Sequence, residues 1–140
     1  MSGSVKTYCV SDISNNPNIT LDGSFQAQPK FITINRFEWY PTQPYYTTIP
    51  QVFIHFDTLA GKFLSSGSQQ DLILVVNRDQ NNNYEFQKSY PDPVLCQGGL
   101  TGSLNIRFTD VNGELLNMGI LNGVVDTSAI SYYIEFSINY

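Results

Sequence analysis

His55 is the only histidine of the chain, and it stands two residues before Asp57 in the run Gln51-Val52-Phe53-Ile54-His55-Phe56-Asp57. An imidazole beside a carboxylate is the base half of a nucleophilic triad, and it needs an activated Ser or Cys to act on. None is signposted. Cys96-Gln97-Gly98-Gly99 sets a thiol in what reads as a flexible turn, but no base accompanies it, so Cys96 reads as a structural cysteine. His55, on the polar parity of its segment, reads as a solvent-facing or interface imidazole. Glu38 and Glu135 are carboxylates that a fold can bring together for acid–base work, and their spacing alone assigns them no such role.

The same reading goes against cofactors and metals. Asp57, Asp71, Asp79, Asp92, Asp110 and Asp126 are scattered, without the spacing of a calcium loop. Two cysteines and one histidine lack the tight ligand spacing of a zinc site. Cys9 and Cys96 can pair only if the fold brings their backbones within about 7 Å. Gly98-Gly99-Leu100-Thr101-Gly102 has neither the strand–loop–helix setting nor the lysine of a phosphate loop. With 7 basic and 12 acidic residues the net charge is -5, and Arg36, Arg78 and Arg107 stand apart, so no direct nucleic-acid contact is expected. No run approaches the roughly 18 apolar residues of a membrane helix, and no membrane partner is expected. Met1-Ser2-Gly3-Ser4 carries no apolar targeting core and reads as a tail.

Binding chemistry is better represented. Trp39, Tyr40, Tyr45 and Tyr46 flank Pro41-Thr42-Gln43-Pro44. Such residues join large contact area to a polar handle, which suits a protein interface, a sugar-stacking platform or simply the edge of a core. Phe53 and Tyr133 fall on the outward parity of their segments and join the candidate surface. Arg107, Asp110, Asn112 and Gly113 form a candidate structural turn. Asn112-Gly113 suits positive φ, Asp110 can cap the loop with its carboxylate, and Arg107 beside Asp110 can clamp strand to turn.

The elements that must position these residues are strands. Val52, Ile54 and Phe56 alternate with polar neighbours, as do Leu104, Ile106 and Phe108, and Tyr132, Ile134, Phe136 and Ile138. A period of two puts every second side chain on one buried face. Residues 30–40 change phase, with Ile32 and Ile34 on one parity and Phe37 and Trp39 on the other. A bulge near Asn35 and Arg36 would put both pairs on the same side. Residues 71–77, Asp71-Leu72-Ile73-Leu74-Val75-Val76-Asn77, are apolar throughout their middle and read as a central strand covered on both faces, a neighbouring chain being one source of cover. Shorter strands are predicted at 5–10, 19–21, 84–88 and 114–118. Residues 58–64 read as a turn, 124–129 as a loop or helical turn, and Asn81-Asn82-Asn83 as a hairpin. About eight strands in 140 residues is the density of an all-β antiparallel sandwich or barrel within a single domain.

Three stretches, in order, resemble a known family. Phe31-Ile32-Thr33-Ile34-Asn35-Arg36-Phe37-Glu38-Trp39-Tyr40 is followed by Tyr45-Tyr46 and Ile49. Leu72-Ile73-Leu74-Val75-Val76-Asn77 is followed by Tyr84-Glu85-Phe86. Leu104-Asn105-Ile106-Arg107-Phe108-Thr109-Asp110-Val111-Asn112-Gly113-Glu114-Leu115-Leu116 leads to a last strand at 132–138. The order resembles the single jelly-roll minor capsid or penton-type proteins of virophages, Polinton-like elements and large DNA viruses. Those proteins carry an "arginine, aliphatic or aromatic, Thr-Asp-x-x-Gly" hairpin before one last amphipathic strand. The resemblance covers roughly residues 30–138 and implies an antiparallel β-sandwich of the eight-stranded jelly-roll type, located in a virion, with residues 1–140 expected as a single domain. It implies self-assembly into a trimer or pentamer, contacts with other capsid proteins and no enzymatic activity. The role would be that of a minor capsid, penton-type, cement or spike component. The alternative is a glycan-binding or adhesion module using Trp39, Tyr45 or Tyr46 as its platform on a host glycan.

Overall fold

The structure, a computed structural model, describes residues 5–21, 31–41, 49–58, 61–65, 68–70, 72–88, 94–98, 103–121 and 123–139. These form strands and no helix. In chain order the strands are β1 (Val5–Asp12), β2 (Asn18–Thr20), β3 (Phe31–Trp39), β4 (Gln51–Thr58), β5 (Gly61–Ser65), β6 (Ser68–Gln70) and β7 (Leu72–Asn77). They continue with β8 (Tyr84–Gln87), β9 (Val94–Gly98), β10 (Ser103–Thr109), β11 (Ile120–Leu121), β12 (Val124–Val125) and β13 (Tyr132–Asn139).

Two antiparallel sheets carry the fold. One contains β1, β13, β3 and β8 side by side, and the other contains β2, β10, β4 and β7. Along the eight strands β1, β2, β3, β4, β7, β8, β10 and β13, the chain changes sheet at every step except from β4 to β7. That winding is a jelly roll, so the expected eight-stranded sandwich is the observed one. The remaining strands are additions. The β5–β6 hairpin joins the first sheet through β9, which lies beyond β8 on the same side of β3, and β11–β12 is a separate small hairpin.

Alternation explains which side chains meet between the sheets. Ile134, Phe136 and Ile138 of β13 and Ile32 and Ile34 of β3 face Val52, Ile54 and Phe56 of β4 and Leu104, Ile106 and Phe108 of β10, all buried. Rings join the layers: Phe136 meets Phe56 edge-on at 5.1 Å, and Phe108 lies 5.7 Å from Phe37 and 4.6 Å from Tyr132. The phase change in β3 is resolved by a bulge. Ile34 pairs with Phe136 and Arg36 with Glu135, leaving Asn35 as the extra residue. Ile32, Ile34, Phe37 and Trp39 therefore all point into the core.

Several expectations are corrected. β7 is not central, because it ends its sheet and pairs only with β4 among the described residues. Its Val76 is buried but Leu74 only half-buried. Residues 114–118 make no strand, only a bridge from Leu115 to Thr109. Residues 61–64, expected within a turn, lie in β5, and Cys96, expected in a flexible turn, lies in β9. Residues 124–125 form β12.

Candidate functional site

The outer face of the first sheet gathers the densest polar chemistry. Strand register sets it out in rows. Cys9, Glu135, Arg36 and Gln87 form one row, and Ser11, Tyr133, Glu38 and Glu85 the next. The Cys9 thiol lies 3.8 Å from Glu135 Oε1, and the Tyr133 hydroxyl lies 3.3 Å from Cys9 Sγ and 3.1 Å from the same carboxylate oxygen. Arg36 donates from Nε to Glu38 Oε1 at 2.8 Å, adds a second bond from its Nη2, and holds its guanidinium 5.8 Å from the Tyr133 ring centroid. Its bond to Glu38 raises the Arg36 pKa further. The Tyr133 phenol is raised by its bond to Cys9, then by desolvation and Glu135. Tyr40 is pushed up to about 12, first by desolvation and then by a bond with Glu85.

A third row is built from hydroxyls and the bulge. Thr7 Oγ1 and Ser137 Oγ are 2.9 Å apart, Asn35 donates to Ser137 at 2.8 Å, and Thr33 donates to Asn35 at 3.1 Å. The extra residue thus ties β3 to β13 through its side chain. Glu38 and Glu135 do share this face, but on different rows. Glu38 is engaged by Arg36, and Glu135 by Tyr133 and Cys9. Sequence reading missed the grouping of Cys9, Tyr133 and Glu135. Their outward parity was legible, but the register of β1 on β13 that joins them was not.

The second sheet presents a different outer face. His55 Nε2 lies 2.8 Å from Oγ1 of the buried Thr109, so the imidazole is half-buried and bonded. Phe53 is half-buried opposite Val75, and Arg107 lies opposite His55. The side chain of Asp57 lies outside the described residues.

The strand ends of β1, β3, β7 and β10 and the starts of β4, β8 and β13 meet at one end of the sandwich. Connections there are bonded to each other: Asn15 donates to Leu116 O at 2.8 Å, Tyr132 to Ser14 O at 2.7 Å, and Arg78 N to Pro50 O at 3.0 Å. Two loops at this end share one design. Asp79 accepts from the N–H of Asn81 and Asn83 at 2.8 and 2.9 Å, and Asp110 from those of Asn112 and Glu114 at 2.8 and 3.0 Å. The fourth residue has positive φ in both, 62° at Asn82 and 83° at Gly113. The expected turn at 110–113 is therefore present, with the Asp110 carboxylate used on loop amides.

Trp39 requires a correction. It is 0% exposed, stacked on Tyr84 at 5.0 Å, and cannot offer its ring as a platform. Tyr40 is exposed, and Tyr133 is half-exposed on the same outer face. Tyr45 and Tyr46 lie outside the described residues. Cys9 is a free, exposed thiol, so it forms no disulfide with Cys96. Among the described residues no group of three His, Cys, Asp or Glu side chains could hold a metal ion. Among the described residues, five of the eight exposed large apolar side chains stand on one connection, from β10 to β13: Val111, Leu115, Val124, Val125 and Ile130; the others are Val5, Phe31 and Tyr40. No family model, curated protein or solved structure matches the chain.

Proposed function

We propose that the chain is a non-enzymatic structural protein of a virion, a minor capsid, penton-type, cement or spike component that works by self-assembly and by contacts with other capsid proteins. One observation carries the reading: a jelly-roll sandwich in which, among the described residues, every exposed aliphatic side chain except Val5 stands on the β10–β13 connection. Val111, Leu115, Val124, Val125 and Ile130 stand on the connection between β10 and β13 among the carboxylates of Asp110, Glu114 and Asp126. Apolar side chains grouped on loops at a sandwich end suit burial against a neighbouring subunit. The sequence resemblance to single jelly-roll shell proteins points the same way.

Sedimentation velocity at micromolar concentration, followed by negative-stain imaging, tests the reading. Rings or closed shells are expected. A strict monomer that also fails to bind any other shell component overturns it. The glycan-binding alternative loses Trp39, which is buried, as a platform, and a glycan array that registers binding abolished by Tyr40→Ala would favour it.

A further inference from the structure

The two loops of shared design differ at the residue of positive φ, which is Asn82 in one and Gly113 in the other. Both turns close in the same way, Asn82 N donating to Asp79 O at 3.2 Å and Gly113 N to Asp110 O at 3.1 Å. Asn81 and Asn112 occupy the same place, but Asn81 precedes an asparagine and Asn112 precedes a glycine. An asparagine carboxamide is open to attack by the backbone nitrogen that follows it, and glycine, with no Cβ, obstructs that approach least. Open space surrounds the Gly113 Cα, and the exposed Asn112 side chain makes no hydrogen bond among the described residues. Other asparagines are less free. The side chains of Asn15, Asn35, Asn77, Asn105 and Asn117 are hydrogen-bonded, and Asn16 precedes Pro17, which has no N–H.

We infer that Asn112-Gly113 is a self-modification site latched by Asp110. While the turn is closed the nucleophile is held. Gly113 N–H donates to Asp110 O, and the Asp110 carboxylate fixes the amides on either side, those of Asn112 and Glu114. When the turn opens, Gly113 N bonds to Asn112 Cγ, the Cγ–Nδ2 bond breaks, and ammonia leaves with the amide proton. Water then opens the cyclic imide at one carbonyl or the other, leaving aspartate or isoaspartate at position 112. The sequence of steps is redox-neutral and consumes only water. An isoaspartate carries the main chain through its side-chain carbon, so the loop gains a backbone atom and no longer fits the Asp110 bonds. Either product also sets a new carboxylate between Asp110 and Glu114, beside the exposed Val111. A transient opening of the turn is thereby made permanent. The inference goes beyond the self-assembly reading and does not depend on it.

The test incubates full-length wild type, Asp110→Ala and Asp79→Ala in neutral buffer and samples them over days. Cleavage after Glu114 separates Asn112 from Asn122, whose own Asn-Gly pair would otherwise share its peptide. Chromatography with mass spectrometry then counts the aspartate and isoaspartate formed at position 112. Asp110→Ala is expected to convert Asn112 roughly tenfold faster than wild type, the rise in open loop that losing a cap of ordinary strength produces. Asp79→Ala loses the matching cap on the other loop and is expected to convert Asn112 at the wild-type rate. Equal rates in wild type and Asp110→Ala overturn the latch. So does an Asp79→Ala rate as high as that of Asp110→Ala, because general loosening of the fold would then suffice. If Asp110→Ala fails to fold by circular dichroism, wild type in buffer and in urea decides the matter: slower conversion in buffer supports the latch, and equal rates overturn it. An Asn112 that stays unconverted even in urea removes the site altogether.

Discussion

Trp39 and Tyr84 are opposite one another across β3 and β8, their ring centroids 5.0 Å apart and both side chains removed from solvent. Tyr84 also donates its hydroxyl to Ile49 O, so the pair anchors the connection that follows β3. Trp39→Ala is expected to lower unfolding free energy by about 3–5 kcal/mol, the usual range for a large buried ring. Urea titration followed by fluorescence of the tyrosines checks this. A loss below about 1 kcal/mol would return Trp39 to the surface.

Asp79 and Asp110 each satisfy two loop amides from one carboxylate oxygen. Asp79→Ala and Asp110→Ala should each cost about 1–2 kcal/mol, and the Asn variants, which keep an acceptor, clearly less. Gly113→Ala meets open space, so its expected penalty of about 1 kcal/mol comes from φ alone. The urea midpoints of these five variants measure this, and an Asp110→Ala protein as stable as wild type would remove the loop from the list of structural turns.

Asn35 has no partner residue across from it, whereas Thr33 pairs with Ser137. Deleting Asn35 keeps Ile34 and Phe37 inward on a regular strand. The protein should fold, weakened by about 1–2 kcal/mol through the lost bonds to Ser137 and Thr33. Deleting Thr33 turns Ile32 to the outer face and should abolish cooperative unfolding. Equal behaviour of the two deletions in calorimetry would place the bulge elsewhere.

Alkaline pH should unfold the protein through its tyrosines. Burial pushes Tyr84 up to about 12, desolvation and then Glu85 do the same for Tyr40, and burial raises Tyr132 as well. A phenol whose folded value lies above its unfolded value, about 10, favours the fold fully below that unfolded value. The contribution is lost as pH rises through the folded values. The thermal midpoint should therefore hold from about pH 8 to about pH 10 and fall from about pH 10 to about pH 12. A Tyr84→Phe, Tyr132→Phe double variant should start lower, by about 1 kcal/mol for each hydroxyl bond, and fall less steeply. Parallel curves for the two proteins would contradict the assignment.

Much of this was legible in the residues, and the failures have physical reasons. Alternation located β4, β10 and β13, and the parity switch located the bulge at Asn35. The same parity already put Trp39 inward with Phe37. Its place beside Tyr40, Tyr45 and Tyr46 suggested a surface role that its phase opposed. β7 read as central because both of its parities are apolar, but apolarity signals cover and says nothing about position in a sheet. β5 and β9 were missed because Gly61, Gly98 and Gly99 gave their segments the look of turns. The grouping of Cys9, Tyr133 and Glu135 depends on register between distant segments, which no local pattern encodes.

β13 lies between β1 and β3, and its register joins Val5 to Asn139 and Asn139 to Phe31. During synthesis, the first sheet therefore stays in two unjoined parts until residues 132–139 have left the ribosome. Pairing between such distant segments is slow relative to local structure. The nascent chain exposes β1 and β3 for that whole interval, so in a crowded cell the hazard for this protein is concentrated in the time before its last eight-residue strand arrives.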